Sequence, residues 1–302
     1  MEINLTAWWA WMAGSAVITF GLFGAKERNW KTAGLCLLLG GVLGLLCAKV
    51  TYYICQIDFM IASGWKENLF RMDPDGLNFY GGVAGVCFGV AIAARLTGKK
   101  PVALLDRFAP FGLLLGALVR FAEYFAGMLG VGLYLEDEAF CFFPLAKGFS
   151  WGDWTEWYLA VFVLEGISLL AVALVSALCL KEHRFLRSVF YMCLPQILLE
   201  NLRYGSMMWF FCIRVDQLAC MVAMFVILVI YGTRMKDHKA VPAIIALLCA
   251  GLFIAMEFAL EGKIPFLRFM NAWACYGVML LGQVILGVVE VWAYRKTTKT
   301  ED

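Results

Sequence analysis

The apolar residues of this chain fall into blocks of roughly 18 to 27 residues, the length at which a helix crosses a bilayer. In hydrocarbon the backbone N–H and C=O groups must find partners within the chain, so blocks of this length are expected to be helical. Composition agrees: 63% of residues are hydrophobic and 16% are charged, far from the usage of soluble domains. The expected fold is all-α, a polytopic integral membrane helix bundle.

Nine spans are expected, at about 7–24, 33–56, 78–96, 108–134, 156–180, 188–212, 217–233, 241–260 and 269–293. The first 25 residues hold Glu2 and no Lys or Arg, so the positive region of a cleavable signal is missing. Lys26, Arg28 and Lys31 follow the first block, which predicts an outside N-terminus and, after nine crossings, an inside C-terminus. On that orientation 16 Lys/Arg lie in inside segments. Six lie outside: Lys66, Arg71, Lys147, Arg214, Lys263 and Arg268. The bias is that of cytoplasmic loops. The net charge of +2 comes without a basic stripe, so no nucleic-acid surface is expected. No internal repeat of the transporter kind is present. Most of the 11 cysteines lie within spans and there is no CxxC, so they read as small buried hydrophobes; Cys141, in a loop, is the exception.

Residues 57–77 mix apolar and charged types and read as an amphipathic arm on the outer surface. Residues 135–155, with Glu136, Asp137, Glu138, Asp153 and several aromatics, are placed to cap a site from outside. Gly40/Gly44, Gly81/Gly85/Gly89 and Gly112/Gly116 form small-residue ridges that let helices approach closely.

Charged residues inside spans are costly, about 2.5–3.5 kcal/mol each near a helix centre on insertion scales. This chain has several. Arg120 and Glu123 are three apart on span four, and Glu200 and Arg203 three apart on span six with Asn201 between. Each pair starts roughly 12 residues from the inner end of its span, about 18 Å along a helix. Lys49 lies in the outer half of span two. Two readings follow: the pairs neutralise each other and fix helix docking, or they line one polar chamber open to the outside. Glu165 is a candidate to join the chamber, Glu257 is isolated, and Glu290 is expected near the inner interface. Pro195 frees the carbonyl of Tyr191 just before the second pair. The two histidines, His183 and His238, are in inner loops, so no transition-metal site is expected.

AKVTYY, GLNFYGGVAGV, DRFAPFGLLLGALVRFAEYFAG and ILLENLR, taken in their order and spacing, resemble stretches of the bacterial prolipoprotein diacylglyceryl transferase family. GLNFYGGVAGV (76–86) resembles a family segment in which a histidine precedes two glycines, here Tyr80, Gly81 and Gly82. DRFAPFGLLLGALVRFAEYFAG (106–127) resembles its signature helix. AKVTYY (48–53) is similar to its Ala-Arg-Leu-Gly-Tyr piece, with Lys49 at the arginine and Tyr52 at the tyrosine. FFPLAKG (142–148) and LEG (164–166) are weaker echoes. ILLENLR (197–203) is similar to the Arg-x-x-x-Glu-x-x-Arg helix, with Gln196 at the first arginine and Glu200 and Arg203 matching. DQLACMVAMFVILVIYG (216–232) resembles the last family helix. Departures are Tyr80 for histidine, Glu123 for the signature asparagine, Ala126-Gly127 for Asn-Gly and Gln196 for arginine.

The resemblance implies two regions: 1–239, a seven-helix transferase-like core, and 240–302, an additional two-helix hairpin with a basic tail. It implies a transferase in the bacterial cytoplasmic membrane with its site open toward the outer leaflet. The donor would be phosphatidylglycerol or another anionic phospholipid, the acceptor the cysteine thiol of a secreted prolipoprotein, and no cofactor or metal is implied. The catalytic candidates are Arg120, Glu200, Tyr80 and Glu123. The phosphate- and lipid-binding candidates are Arg120, Arg203, Lys49, Tyr52, Asn201, Gln196, Gly81 and Gly82. Two alternatives stand beside this: a degenerate homologue that binds anionic lipid or a lipopeptide, and a small-molecule transporter.

Overall fold

The computed structural model describes residues 3–63, 72–204, 208–210, 213–263, 267 and 270–301. Lys66, Arg71 and Arg268, and part of the expected outer arm, lie outside the described residues. The chain packs as two compact units: 1–188 with 202–210, and 189–201 with 211–302. This division by packing falls elsewhere than the 1–239/240–302 division suggested by resemblance.

The first unit holds α1 (Leu5–Glu27), α2 (Trp30–Cys55), the short α3 (Ile57–Ser63), α4 (Phe79–Leu96), α5 (Pro101–Ala122) and α6 (Val161–Leu178). Their starts are written locally. The side chains of Asn4, Asn29 and Asn78 accept hydrogen bonds from the N–H of Ala7, Thr32 and Gly81, which caps α1, α2 and α4. Pro101 opens α5, where a missing N–H costs nothing. α7 (Arg184–Leu202) begins in this unit and continues into the second. The second unit otherwise holds α8 (Val215–Arg234), α9 (Val241–Leu260) and α10 (Ala272–Glu301).

Among the described residues, eight helices are long and apolar enough to cross a membrane, one fewer than the nine expected spans. The exception is the sixth. Its helix ends at Leu202, ten residues short of the expected end, and Arg184, Arg187, Gln196, Glu200 and Asn201 dilute its apolar character. Outward faces carry exposed Leu38, Val42, Ile167, Leu178 and Val288, as a lipid-facing surface requires.

Two of the three expected glycine ridges, Gly40/Gly44 and Gly81/Gly85/Gly89, meet each other; Gly112 faces Phe108 of its own helix and Gly116 faces the side chains of Phe79 and Leu169. α2 and α4 pack backbone to backbone: a Cβ on Gly89 would stand 2.6 Å from the Gly40 nitrogen, and one on Gly85 would stand 2.8 Å from the Gly44 Cα. Phe20, Phe23, Cys36, Val90, Leu104 and Phe108 from α1, α2, α4 and α5 close the core beside them. At the end of α1, Glu27 accepts hydrogen bonds from Lys99 and Arg107, 3.1 Å each.

The all-helical expectation missed a hairpin. β1 (Ala146–Trp151) pairs antiparallel with β2 (Trp154–Leu159), across the expected start of span five. The Gly152 φ of +62° lets the two-residue turn form. The 131–135 segment adds to β2 through Gly132 N–H to Leu159 O, 2.7 Å, and Leu135 N–H to Trp157 O, 2.9 Å. On its other side it pairs with the chain just past α7, Tyr204 N–H donating to Val131 O at 2.9 Å.

Candidate functional site: a buried arginine–carboxylate cluster

Three helix ends in the first unit converge on four charges. Arg120 lies in the last turn of α5 and Glu123 caps that helix. Glu165 lies early in α6, and Arg203 follows the last residue of α7. This corrects the expected depth: α5 stops at Ala122, not near 134, so Arg120 and Glu123 stand at a helix terminus rather than mid-span. The placement suits the helix dipoles, with the cations at C-terminal ends and Glu165 near an N-terminal one.

The four side chains interlock. Arg120 Nη1 donates to Glu123 Oε1 at 2.7 Å, and its Nε lies 3.3 Å from Glu165 Oε2. Arg203 Nη2 donates to Glu123 Oε2 at 2.9 Å and also to Glu165 Oε2, while its Nε donates to Glu165 Oε1 at 3.1 Å. Glu165 has no exposed surface, Arg120 is 2% exposed and Glu123 7%. The formal charge of the four is zero. Each arginine contacts both carboxylates, so the cluster ties α5, α6 and the chain after α7 together. Glu165 thus joins Arg120, Glu123 and Arg203.

Neighbours shape the cluster. The Arg120 guanidinium carbon lies over the Phe79 ring, 3.9 Å from its centroid, at the start of α4. Tyr80, next in sequence, is within electrostatic range of Arg120. Gly130 (φ +77°) is forced: a Cβ there would come within 3.0 Å of both the Glu123 carboxyl carbon and the Phe162 Cβ. Antiparallel bridging of Gly132 with Arg203 fixes the backbone that carries the second arginine.

Sequence reasoning missed Lys147. Its ammonium, carried by β1, donates to the carbonyls of Tyr124 (2.6 Å) and Gly127 (2.8 Å) at the end of α5. It lies over the rings of Tyr124 and Phe149, both at 5.0 Å. Burial pushes its pKa down to about 8, against the opposing pull of Glu123. The clue available in sequence was FFPLAKG, where the one cation of an aromatic loop follows directly on apolar residues.

The other candidates are placed as follows. Lys49 is buried on α2, its Nζ 5.6 and 5.4 Å from the Tyr52 and Tyr53 ring centroids. Gly81 meets the Thr51 side chain and the Cys47 carbonyl of α2, and Gly82 faces Ala48, so both serve helix packing. In the second unit Glu200 accepts from Gln196 Nε2 at 3.4 Å and pairs with Arg214 at 3.8 Å. Asn201 Nδ2 donates to Ile197 O at 3.2 Å. Glu257, isolated in sequence, lies 3.7 Å from Arg214 Nε. Glu290 is fully buried and accepts from the Tyr191 hydroxyl at 2.7 Å. No group of three or more His, Cys, Asp or Glu with metal-holding geometry occurs among the described residues.

A bundle of membrane-crossing helices that buries a ring of arginines and carboxylates at their ends defines a multi-pass membrane protein with an internal ionic site. The prolipoprotein diacylglyceryl transferase family matches residues 3–233, and the chain belongs to that family of membrane transferases. It is similar to the proteins named phosphatidylglycerol–prolipoprotein diacylglyceryl transferase of Neisseria gonorrhoeae and of Neisseria meningitidis serogroup C. To each it is 25% identical over 195 residues, 54% of this chain and 67% of theirs. No solved structure matches.

Proposed function

We propose that this chain transfers a diacylglyceryl group from phosphatidylglycerol, or a related anionic phospholipid, to the cysteine thiol of a secreted prolipoprotein. It would do so in the bacterial cytoplasmic membrane, with the site facing the outer leaflet. The observation that carries this reading is the meeting of Arg120 and Arg203 on Glu123 and Glu165. The family match supplies the reaction class; the cluster supplies a grip for a phosphate.

The chemistry follows from charge. A phosphodiester entering this site brings one negative charge to a neutral ring. It can be held if an arginine exchanges a carboxylate oxygen for a phosphate oxygen, which keeps each guanidinium paired. As the thiolate attacks the glycerol carbon, its C–O bond breaks and the bond pair leaves with glycerol phosphate, which gains a second charge. Arg120, packed on the Phe79 ring, would stabilise that charge, with Arg203 beside it. Tyr80, next in sequence to Phe79, would donate a hydrogen bond from its hydroxyl to the same phosphate.

The thiol proton needs an acceptor. Both oxygens of Glu123 are taken by arginines. Lys147 suits the task better. A neutral amine with a pKa of about 8 is matched to a thiol near ~8.5. Its two N–H bonds to Tyr124 and Gly127 would leave its lone pair for the proton.

A second reading, a lipid-binding homologue without turnover, is favoured by Tyr80 and Gln196 in place of the family histidine and arginine. One experiment separates them: membranes containing this chain, from cells depleted of their own transferase, are given radiolabelled phosphatidylglycerol and a lipobox peptide. Transfer of label to the peptide thiol supports the enzyme. Retention of the lipid on purified protein without transfer rejects it in favour of the binder.

A further inference from the structure

Residues 240–302 lie beyond the family match, yet they pack on the helix that carries Glu200. Three contacts run along that helix within the second unit. Near its middle, Glu290 of α10 accepts the Tyr191 hydroxyl at 2.7 Å. Near its end, the Met279 sulfur of α10 accepts from Asn201 Nδ2 at 3.6 Å. The third runs through Arg214. This residue is the N-cap of α8, where a cation opposes the helix dipole and no side-chain cap is made. Carboxylates offset that cost. Arg214 lies 3.8 Å from Glu200 Oε1 and 3.7 Å from Glu257 Oε1, and its Nη1 donates to the Glu200 backbone carbonyl. Gln217, one turn on, donates to Ile197 O at 3.1 Å. Pro195 has removed a backbone hydrogen bond from this same stretch, so the last turns of α7 take their order from side chains.

We propose that the appended pair α9–α10 positions Glu200: Glu257 holds Arg214, and Arg214 fixes the carbonyl and carboxylate of Glu200. Arg214 and Glu257 are positioning residues for Glu200, which the family resemblance makes a catalytic candidate, and displacing it is expected to slow the transfer. Arginine is the type required, because its planar fork can address three acceptors at once while a lysine is a single point charge. The proposal rests on the transferase reading only for the consequence of moving Glu200, not for the clamp.

The test uses the full-length chain in lipid nanodiscs and two readouts. Hydrogen exchange reports the order of residues 196–204; kcat and KM are measured for label transfer from phosphatidylglycerol to a lipobox peptide. Arg214→Lys and Glu257→Gln are each expected to raise exchange at 196–204 and leave 101–122 unchanged. Each should lower kcat about tenfold or more, with KM for the lipid within about twofold. The double variant Arg214→Glu/Glu257→Arg restores the pair between α8 and α9 but not the hold on Glu200, so its kcat should stay low. Unchanged exchange at 196–204, or exchange rising equally across the chain, overturns the proposal. So does recovery of wild-type kcat in the double variant, which would mean simple helix docking. A wild-type chain that transfers no label instead rejects the transferase reading, and the exchange result still decides the clamp.

Discussion

Arg203 grips Glu165 with two nitrogens: Nε reaches Oε1 at 3.1 Å and Nη2 reaches Oε2. The residues are 38 apart in sequence, and the pair joins the end of one helix to the beginning of another. Such a pair is conditional. Each charge is tolerable in the protein interior only because the other is there.

Removing one partner should therefore be severe. Glu165→Gln leaves Arg120 and Arg203 sharing Glu123 alone, and is expected to cost about 3–5 kcal/mol of stability. Thermal unfolding in detergent checks this. In a double-mutant cycle with Arg203→Gln the two losses should fail to add, with a coupling of about 0.5–3 kcal/mol. Additive losses would show that the two side chains do not act as a pair.

Arg120 carries a different demand. Its guanidinium must be flat enough to lie on Phe79 and forked enough to reach Glu123 and Glu165 together. Lysine keeps the charge and loses both properties. Arg120→Lys and Arg120→Gln are thus both expected to lower lipid labelling of the acceptor peptide by about 10²- to 10³-fold. Near-normal labelling by Arg120→Lys would reduce the role of Arg120 to bulk charge.

Much of this was legible in the sequence because the membrane makes polarity informative. Arg120, Glu123 and Arg203 stand out against apolar neighbours, and a bilayer offers such residues few places to go. The helix spans could be read for the same reason. Several ends could be read too, 78–96 and 241–260 falling within a residue of Phe79–Leu96 and Val241–Leu260, but the ends of the fourth and sixth spans could not. The α5 terminus depends on the turn made by Gly127 and Gly130, whose φ values of +64° and +77° no hydropathy pattern reveals. The hairpin at 146–159 was hidden because residues up to 155 read as an outer loop and the rest as the start of a span. Glu257 and Arg214 were passed over singly, since an ion pair 43 positions apart leaves no local pattern.

The α2–α4 contact should be intolerant of the smallest addition. A Cβ on Gly85 or Gly89 meets backbone atoms of α2 at 2.6–2.8 Å, and backbone cannot swing aside as a side chain does. Gly85→Ala and Gly89→Ala are each expected to cost about 1–3 kcal/mol through overpacking. Gly41→Ala, with open space around the added carbon, should be neutral or slightly stabilising in its helix. Melting temperatures of the three variants check the ranking. Equal effects at positions 41 and 85 would contradict the close approach.

Lys147 gives the pH prediction. Its amine titrates at about 8 in the folded chain, against 10.5 for an ordinary lysine, because burial penalises the ammonium. The folded state therefore binds fewer protons than the unfolded one between these values. By linkage this group contributes stability that rises with pH across the window from about 8 to 10.5. Its reactivity follows the same curve. At pH 8 about half of the Lys147 amines are neutral, against well under about 1% for an unperturbed lysine. Brief amine acetylation followed by mass spectrometry should therefore label Lys147 ahead of Lys181 and Lys236, with a midpoint near pH 8. Glu123 pulls the value upward, so Glu123→Gln should move that midpoint below 8. Lys147→Arg keeps a donor for the Tyr124 and Gly127 carbonyls but cannot become neutral, so the folded protein should persist while transfer fails at every pH up to 10. A Lys147 that labels like an ordinary surface lysine, or a Lys147→Arg chain that transfers normally, would remove it from the proton path.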